Sequence, residues 1–287
     1  MSAPSIGGVP SAMPDGVAAF GDHALPPARE ALRRFAQSLG RSGPARRACS
    51  VIRRLVTLGR VGPYDVEAFP GQRARLYPDQ NLSDKRVFAG AQFWDWIERA
   101  ALGEAVRSAD EPVYFVDAGA NAGLYTLAVR AEARGKPLRA LAIEPDPENL
   151  SRLCFNLASS GADDVTVAPV ALSDHAGTAY LSASHANRGE LALAETGTEV
   201  PVRPLLDVVR DAGFPRIDAL KLDIEGVEEQ VLRHFLDHAP TALLPTLVVI
   251  EAQRGAETPA LALLRKADYV IAQRTRMNAI LRRSAGE

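Results

Sequence analysis

Two acidic residues end successive apolar runs of the sequence, and a loop of very small residues follows the first of them. Asp117 closes one run and Glu144 closes the next, while Gly119 and Gly123 lie in the loop between them. Glycine lets the backbone turn sharply and lets a ligand approach the main chain. A carboxylate at the end of the second strand can accept hydrogen bonds from both hydroxyls of a ribose. Together these residues predict a site for an adenosyl ligand.

The chemistry of the ligand follows from what the loop lacks. A dinucleotide fingerprint starting at Gly119 would need glycine at two positions where the chain has Asn121 and Leu124. The carboxylate of Asp117 would also lie beside a bound pyrophosphate, which carries the same sign of charge. It suits a positively charged ligand better. The α-ammonium and sulfonium groups of S-adenosylmethionine carry that charge, so the loop favours this methyl donor.

A third acidic cluster follows the fourth predicted strand. Asp223 and Glu225 lie two residues apart, and Glu251 ends the neighbouring strand. One interpretation is that these carboxylates act as a general base and orient the ligand for a hydroxyl acceptor. Another is that they form a magnesium or calcium site. Glu228 and Glu229 are better explained as charges that complement a helix dipole. We assign no metal ligand and leave metal dependence open.

The candidates for a general base are Asp223 or Glu225 first and His185 second. His185 lies in a long polar segment at residues 184–198, where a lone histidine is usually only solvated. The sequence contains neither a G-x-S-x-G nucleophile elbow nor an H-E-x-x-H motif. These absences disfavour hydrolase chemistry.

Alternating strands and helices must position these residues. Strands are predicted at residues 113–116, 138–143, 165–170, 217–222, 246–250, 269–273 and 277–281, and helices after the glycine loop and at 147–160, 227–235 and 259–266. This alternation predicts an α/β fold with a doubly wound, mainly parallel seven-stranded sheet. Ligands bind at the carboxyl ends of such strands.

One interval departs from this alternation. Residues 173–204 lack a helix of the expected kind, and residues 177–183 and 199–203 are predicted to pair as a hairpin. Such a long excursion at the sheet edge is more often a substrate loop than structural filler.

The N-terminal part is predicted as an appendage to this domain. Residues 1–27 are rich in Pro, Gly, Ala and Ser and are expected to be a disordered tail. Residues 28–110 are expected to hold basic helices at 28–39 and 45–58, a hairpin cap at 64–69 and 72–77, and a helix at 87–101 carrying both tryptophans. The methyl-donor domain is expected to span residues 111–287.

Charge is distributed unevenly along the chain. Between Arg29 and Arg60 lie nine arginines and one acid, a net charge of +8, so the rest of the chain carries −10. A basic amphipathic segment of this kind can contact an anionic membrane surface or an acidic partner, although a surface helix docked on the main domain shows the same pattern. We expect no nucleic-acid partner, and the sequence does not indicate an oligomeric state.

Cysteine usage and hydropathy predict a cytoplasmic protein. Cys49 and Cys154 are too few and too far apart to suggest a disulfide framework or a thiolate zinc site. No apolar run approaches the roughly 18 residues of a membrane span, and the N-terminus lacks the order of a signal peptide.

Four motifs resemble the FkbM-type S-adenosylmethionine-dependent methyltransferases. They are VDAGANAGLYT from Val116, AIEPDPENLSRLCFNL from Ala142, VALSDHAGTAYL from Val170 and LKLDIEGVEEQVL from Leu220. The resemblance covers residues 113–252, with a weaker similarity at 269–281. It implies a Rossmann-like class I methyltransferase that acts on hydroxyl groups of sugars, glycolipids, polyketides or other secondary metabolites.

The resemblance also implies roles for individual residues. The cofactor would be held by Asp117, Ala118, Gly119, Asn121, Gly123, Glu144 and Pro145, with Ser173 and Asp174 near its adenine and Asp223 near its methionine end. Two alternatives stay open: an NAD(P)-dependent oxidoreductase, and a non-catalytic adapter that binds an adenosyl ligand. The acceptor depends on loops that one sequence does not define.

Overall fold

The computed structural model describes residues 7–8, 18–183, 191–194, 197–224, 226–252 and 257–284. Within them lie nine α-helices: α1 (Pro27–Ser38), α2 (Gly43–Thr57), α3 (Leu82–Gly90), α4 (Trp96–Ser108), α5 (Leu124–Ala133), α6 (Pro147–Ser159), α7 (Leu205–Asp211), α8 (Glu228–His238) and α9 (Pro259–Lys266). The same residues form fourteen strands: β1 (Gly7–Gly8), β2 (Tyr64–Phe69), β3 (Gln72–Leu76), β4 (Val113–Ala118), β5 (Leu138–Ile143), β6 (Val165–Ala168), β7 (Ala171–Ser173), β8 (Gly177–Ala183), β9 (Leu191–Ala194), β10 (Thr198–Pro204), β11 (Ala219–Leu222), β12 (Leu247–Glu251), β13 (Tyr269–Arg274) and β14 (Asn278–Arg283).

The main sheet has the strand order β1-β6-β5-β4-β11-β12-β14-β13. Strands β6, β5, β4, β11 and β12 run parallel, and β14 and β13 add an antiparallel edge. The predicted doubly wound, mainly parallel sheet is confirmed, with β1 as a two-residue addition to the seven predicted strands. The chain leaves β4 toward β5 on one side and returns to β11 on the other, so the crevice between them is the topological switch point.

Both faces of this sheet are buried, which explains the continuous apolar strands. In β4, Val113 and Phe115 belong to one hydrophobic cluster, and Val116 and Ala118 belong to the other. Alternate residues of a strand point to opposite faces of the sheet. Because both faces are buried here, the residues on both faces are apolar and the strand does not alternate with polar residues. Asp117 shares the face of Val113 and Phe115.

Polar residues begin several of the helices. The side chain of Asp146 accepts a hydrogen bond from the amide of Asn149 at the start of α6, and Asn81 accepts from Ser83 and Asp84 at the start of α3. These caps satisfy amide groups that the first helical turn leaves without a partner.

The prediction of one continuous helix at residues 87–101 is wrong. Helix α3 ends at Gly90, a short 3₁₀ turn covers Ala91–Phe93, and α4 starts at Trp96. The chain breaks because Trp94 is extended and Asp95 is left-handed, with a φ of 39°. Few residues other than glycine adopt that conformation, so the break is a built feature of the fold.

The predicted third strand at residues 165–170 is also interrupted. It ends at Ala168, and β7 continues in a second sheet of order β7-β10-β8-β9. Pro169 explains the break because proline has no amide hydrogen to donate to the ladder. The predicted pairing of residues 177–183 with 199–203 is present as β8 and β10, while α7, which follows β10, was not predicted.

The N-terminal appendage shares a hydrophobic cluster with the main sheet. Val56 of α2 and Phe88 of α3 lie in the same buried cluster as Phe115 and Leu127. Within the segment expected to be disordered, residues 18–26 pack instead against the hairpin, because Arg75 donates to the carbonyls of residues 18 and 19. No helix in the described part of the chain is long and apolar enough to cross a membrane.

Candidate functional site

A cavity of about 250 Å³ opens at the carboxyl ends of the central strands. The sheet contributes the loop after β4 (Gly119, Ala120, Asn121 and Ala122), Glu144 and Pro145 after β5, Lys221 and Asp223 at the end of β11, Glu251 of β12 and Asn278 of β14. The appendage contributes Asn81, Leu82, Ser83, Arg86, Trp94 and Asp95. Two segments far apart in sequence therefore build one site.

The loop after β4 requires glycine at two positions. Gly119 has a φ of 79°, and a Cβ there would lie 1.8 Å from the carbonyl oxygen of Asp223. Gly123 has a φ of 83°, and its Cβ would lie 2.6 Å from Cδ1 of Leu153. The loop thus presses directly on the end of β11, and the missing side chain at Gly119 leaves bare backbone facing the cavity.

Asn121 closes the same loop in place of a glycine. Its φ is 51°, a left-handed conformation that asparagine tolerates better than most residues. Its Oδ1 accepts hydrogen bonds from the amide of Ala122 at 2.8 Å and from Nδ2 of Asn81 at 3.0 Å. The second contact ties the cofactor loop to the appendage.

Glu144 lies in the cavity wall, as predicted from its strand-end position. One carboxylate oxygen accepts the amide of Asn121 at 2.7 Å, and the other accepts the amide of Asp146 at 3.0 Å. Burial raises the pKa of Glu144 to about 7, while these amide hydrogen bonds oppose the shift. The side chain of Asn149 makes a further hydrogen bond to this carboxylate, and an ionised carboxylate has about four acceptor sites, so the group can still accept a ribose hydroxyl.

Asp117 lies behind the cavity wall rather than on it. Its side chain is fully buried, and one oxygen accepts the hydroxyl of Thr126 at 2.7 Å. The other oxygen has no hydrogen-bond partner among the residues that the structure describes. Burial raises the pKa of Asp117, and the nearby ammonium of Lys221 opposes that shift. Ala118 and Gly123 also lie outside the wall that the described residues form.

Lys221 is a buried cation at the centre of the site. Its Nζ lies 2.9 Å from Oδ2 of Asp223 and 3.3 Å from the carbonyl oxygen of Gly119, above the ring of Tyr125. Burial acts to lower the pKa of Lys221, but the carboxylates of Asp223 and Asp117 outweigh it and raise the pKa. Sequence reasoning missed this residue, although a lysine inside the buried strand ALKL was a signal for it.

A second pair lies on the appendage side of the cavity. The hydroxyl of Tyr125 donates to Oδ2 of Asp95 at 2.9 Å, and Trp94 packs on Tyr125 with ring centroids 4.8 Å apart. Burial raises the pKa of Asp95, and the nearby carboxylate of Glu98 raises it further. Sequence reasoning missed Asp95, because it becomes a cavity residue only through the break between α3 and α4.

The remaining predicted residues separate into two groups. Asp223 and Pro145 line the cavity. Ser173 and Asp174 do not line it, although the preceding β7 residues Ala171 and Leu172 do. Gln230 donates to the side chains of both Ser173 and Asp174. Glu225 and His185 lie outside the described residues. Within the described ranges, no group of three or more His, Cys, Asp or Glu residues could hold a metal ion.

Comparisons with known proteins identify one family. Residues 117–271 match the family described as the methyltransferase FkbM domain. A comparison with curated proteins finds no match. Among solved structures, the methyltransferase FkbM from Methylobacillus flagellatus KT is 20% identical, with a TM-score of 0.40, over 88% of this chain and 57% of that one.

Two further solved structures are similar at lower identity. The SAM-dependent methyltransferase from Agrobacterium tumefaciens is 10% identical, with a TM-score of 0.43, over 78% of this chain and 71% of that one. Precorrin-6y C5,15-methyltransferase from Geobacter metallireducens GS-15 is 16% identical, with a TM-score of 0.39, over 64% of this chain and 84% of that one.

Proposed function

The chain belongs to the FkbM methyltransferase family, and we propose that it transfers a methyl group to a hydroxyl oxygen of a sugar, a glycolipid or a secondary metabolite. S-adenosylmethionine is the methyl donor. When bound, it supplies a methyl group attached to a positively charged sulfur. An oxygen nucleophile attacks the methyl carbon in line and displaces the sulfur. The residues of this chain then have three tasks: to hold the donor, to orient the acceptor and to take its proton.

The cavity wall fits the donor. At Gly119 a Cβ would collide with the backbone of Asp223, so the loop can present main-chain groups to a ligand only because that residue is glycine. Glu144 lies in the cavity wall at the end of β5, and a carboxylate at that strand end suits the hydroxyls of a ribose. We therefore assign the backbone at Gly119 and the carboxylate of Glu144 to the adenosyl part.

The observation that carries the hydroxyl assignment is a pair of carboxylates, Asp95 and Asp223, in the wall of the donor cavity. A neutral hydroxyl is a poor nucleophile until its proton begins to leave, so O-methylation benefits from a nearby base. Proton transfer to a positioned base contributes about 10²- to 10⁴-fold in rate.

We propose that Asp95 is this base. Burial raises the pKa of Asp95, which makes its carboxylate a better proton acceptor than an ordinary exposed one. Asp223 is already paired with the ammonium of Lys221 at 2.9 Å, so part of its negative charge is neutralised. Asp223 therefore suits the methionine end of the donor better than it suits the proton, and it remains the second candidate together with Glu225 and His185.

The neighbours of Asp95 support an acceptor with both an apolar face and several hydroxyls. Trp94 and Tyr125 supply aromatic surface next to the carboxylate. Asn81 and Ser83 add polar side chains to the same wall. A sugar ring has this combination of C–H faces and hydroxyl edges, which is why a sugar or glycolipid is our first acceptor class.

The test begins with the acceptor. The purified chain is incubated with cell extract and S-adenosylmethionine that carries a deuterated methyl group, and labelled products are identified by mass spectrometry. We expect a labelled methyl ether. Labelling confined to nitrogen or carbon atoms would contradict O-methylation, and donor binding without any labelled product would support the adapter alternative instead.

The base is then assigned with matched variants on the identified acceptor. We expect Asp95→Asn to lower kcat by about 10²-fold or more with little change in donor affinity, and Asp223→Asn mainly to weaken donor binding in calorimetric titrations. Asp237→Asn, at an exposed position outside the cavity, is the control. Full turnover of the Asp95 variant would disprove its role, and Glu225→Gln and His185→Gln would then be tested in the same way.

A further inference from the structure

Helix α2 carries an apolar stripe on its solvent side. Val51, Leu55 and Leu58 are 55%, 53% and 67% exposed. Val51 and Leu55 lie four residues apart on one face of the helix, and Leu58 is the residue that caps its C-terminal end. The opposite face is buried through Cys49, Ile52 and Val56. The helix therefore already packs on the protein through one apolar face and leaves a second one uncovered.

Arginines flank this stripe and lack carboxylate partners. Arg47 lies four residues before Val51, and Arg54 lies four residues before Leu58. No ion pair joins either guanidinium to any residue that the structure describes, and the same holds for Arg53 and Arg60. We call Arg47, Val51, Arg54, Leu55 and Leu58 the α2 surface.

The exposed apolar residues are concentrated in this region. Of ten large hydrophobic side chains that the described residues expose, five lie in the segment from Phe35 to Val61. The others occur singly in later parts of the chain. Scattered exposure is ordinary for a folded protein, whereas a concentrated apolar patch marks an interaction site.

The α2 surface is held in place by the fold. Arg29 donates to the carbonyl oxygens of Val56 and Leu58 at 3.0 and 2.8 Å, which fixes the end of the helix. Gln92 donates to the carbonyl of Ala36 at 2.8 Å and joins α1 to the turn before α4. The surface is thus presented as a rigid face, and a partner can bind it without first ordering the helix.

We propose that the α2 surface docks on an anionic lipid membrane. Val51, Leu55 and Leu58 would enter the boundary between headgroups and acyl chains, and the flanking arginines would lie at the level of the lipid phosphates. A second copy of this chain fits poorly, because a two-fold interface brings the same patch of both subunits together. Arg47 and Arg54 are both exposed on this surface, so that pairing would oppose like charges.

The test is co-sedimentation of the full chain with lipid vesicles. We expect binding to vesicles of phosphatidylcholine with phosphatidylserine, little binding to phosphatidylcholine alone, and loss of binding as the salt concentration rises. The double variant Arg47→Gln, Arg54→Gln should bind the anionic vesicles roughly thirtyfold more weakly. The matched control is Arg139→Gln, Arg210→Gln, which removes two exposed arginines elsewhere.

The apolar contribution is tested in the same assay. Val51→Ser should weaken binding, while Val270→Ser, at a position 61% exposed on β13, should not. Circular dichroism and thermal melting confirm that each variant is folded. No binding of the wild type to anionic vesicles, or equal loss in a variant and its control, would overturn the proposal. A dimer in sedimentation without lipid that Val51→Ser abolishes would assign the face to a second copy and also overturn it.

Discussion

Three glycines of this chain share a backbone conformation but differ in what surrounds them. Gly119, Gly123 and Gly135 have φ values of 79°, 83° and 86°. A Cβ at Gly119 would meet a backbone carbonyl at 1.8 Å, one at Gly123 would meet Cδ1 of Leu153 at 2.6 Å, and one at Gly135 would meet nothing within 4 Å. Substituting alanine at each position separates backbone strain from steric conflict.

The expected magnitudes follow from these distances. All three variants place a Cβ in the left-handed region, which costs about 1–2 kcal/mol, and Gly135→Ala should lose only that amount. Gly123→Ala should lose about 1–3 kcal/mol more, because Leu153 is buried and must repack. For Gly119→Ala, a contact of at least 3.0 Å requires the carbonyl to retreat by about 1.2 Å. A misplacement of about 1 Å at an active site can cost about 10²-fold in rate, and we take the same scale for the loss of cofactor affinity.

Two measurements decide the matter. Urea denaturation gives the free energy of unfolding of each variant, and calorimetric titration with S-adenosylhomocysteine gives the affinity of the cofactor site. We expect the affinity to fall about 10²-fold for Gly119→Ala and to stay near the wild-type value for Gly135→Ala. Wild-type affinity in Gly119→Ala would refute the placement of the cofactor at this loop. Equal losses at both positions would show that strain, and not the contact, is responsible.

Three further outcomes are expected. Burial raises the pKa of Glu144 to about 7 from an ordinary value of 4.5, so its contribution to stability is fully present below pH 4.5 and is lost as the pH rises through about 7. The free energy of unfolding of the wild type should therefore fall relative to Glu144→Gln by up to about 3 kcal/mol across that window in urea titrations; parallel curves would contradict this. Arg75→Met should destabilise the fold by about 3–5 kcal/mol in the same assay. The reason is that Asp65 stays buried without the ion pair that now joins its Oδ1 to Nε of Arg75 at 2.7 Å. A loss below about 1 kcal/mol would show that water replaces the arginine as the partner of Asp65. Tyr125→Phe removes a hydrogen bond that lowers the pKa of Asp95, so the acidic limb of the pH profile of kcat should move to higher pH. An acidic limb at the same pH in wild type and variant would argue against Asp95 as the base.

The sheet was predictable because its strands are buried on both faces. Continuous apolar runs such as those at β4 and β5 predict buried strands even without an alternating pattern. Glu144 and Asp223 lie at strand ends, and both line the cavity. The glycines were predictable for a similar reason, since only a close backbone approach requires two of them within five residues. Local sequence signals therefore located the loop after β4 and the strand ends that line the cavity.

The part of the cavity wall that the appendage supplies was not predictable, because it depends on long-range packing. Residues 87–101 have the apolar content of one helix, and only the structure shows the left-handed turn at Asp95 that sends this carboxylate into the cavity. The break between α3 and α4 thus placed a side chain whose local sequence gave little sign of it.

The pKa of Lys221 indicates the sign of the electrostatic potential at the centre of the site. Burial alone would lower the pKa of this ammonium, yet the carboxylates of Asp223, Asp117 and Asp95 raise it. The negative potential at Nζ therefore exceeds the cost of removing a cation from water. Asp117 contributes to this potential from behind the wall, without touching the cavity. A ligand beside Gly119 meets both this ammonium, whose Nζ lies 3.3 Å from the carbonyl oxygen of Gly119, and the carboxylates that surround it. The acidic strand end seen in the sequence is therefore one member of a group of carboxylates that surrounds one buried lysine.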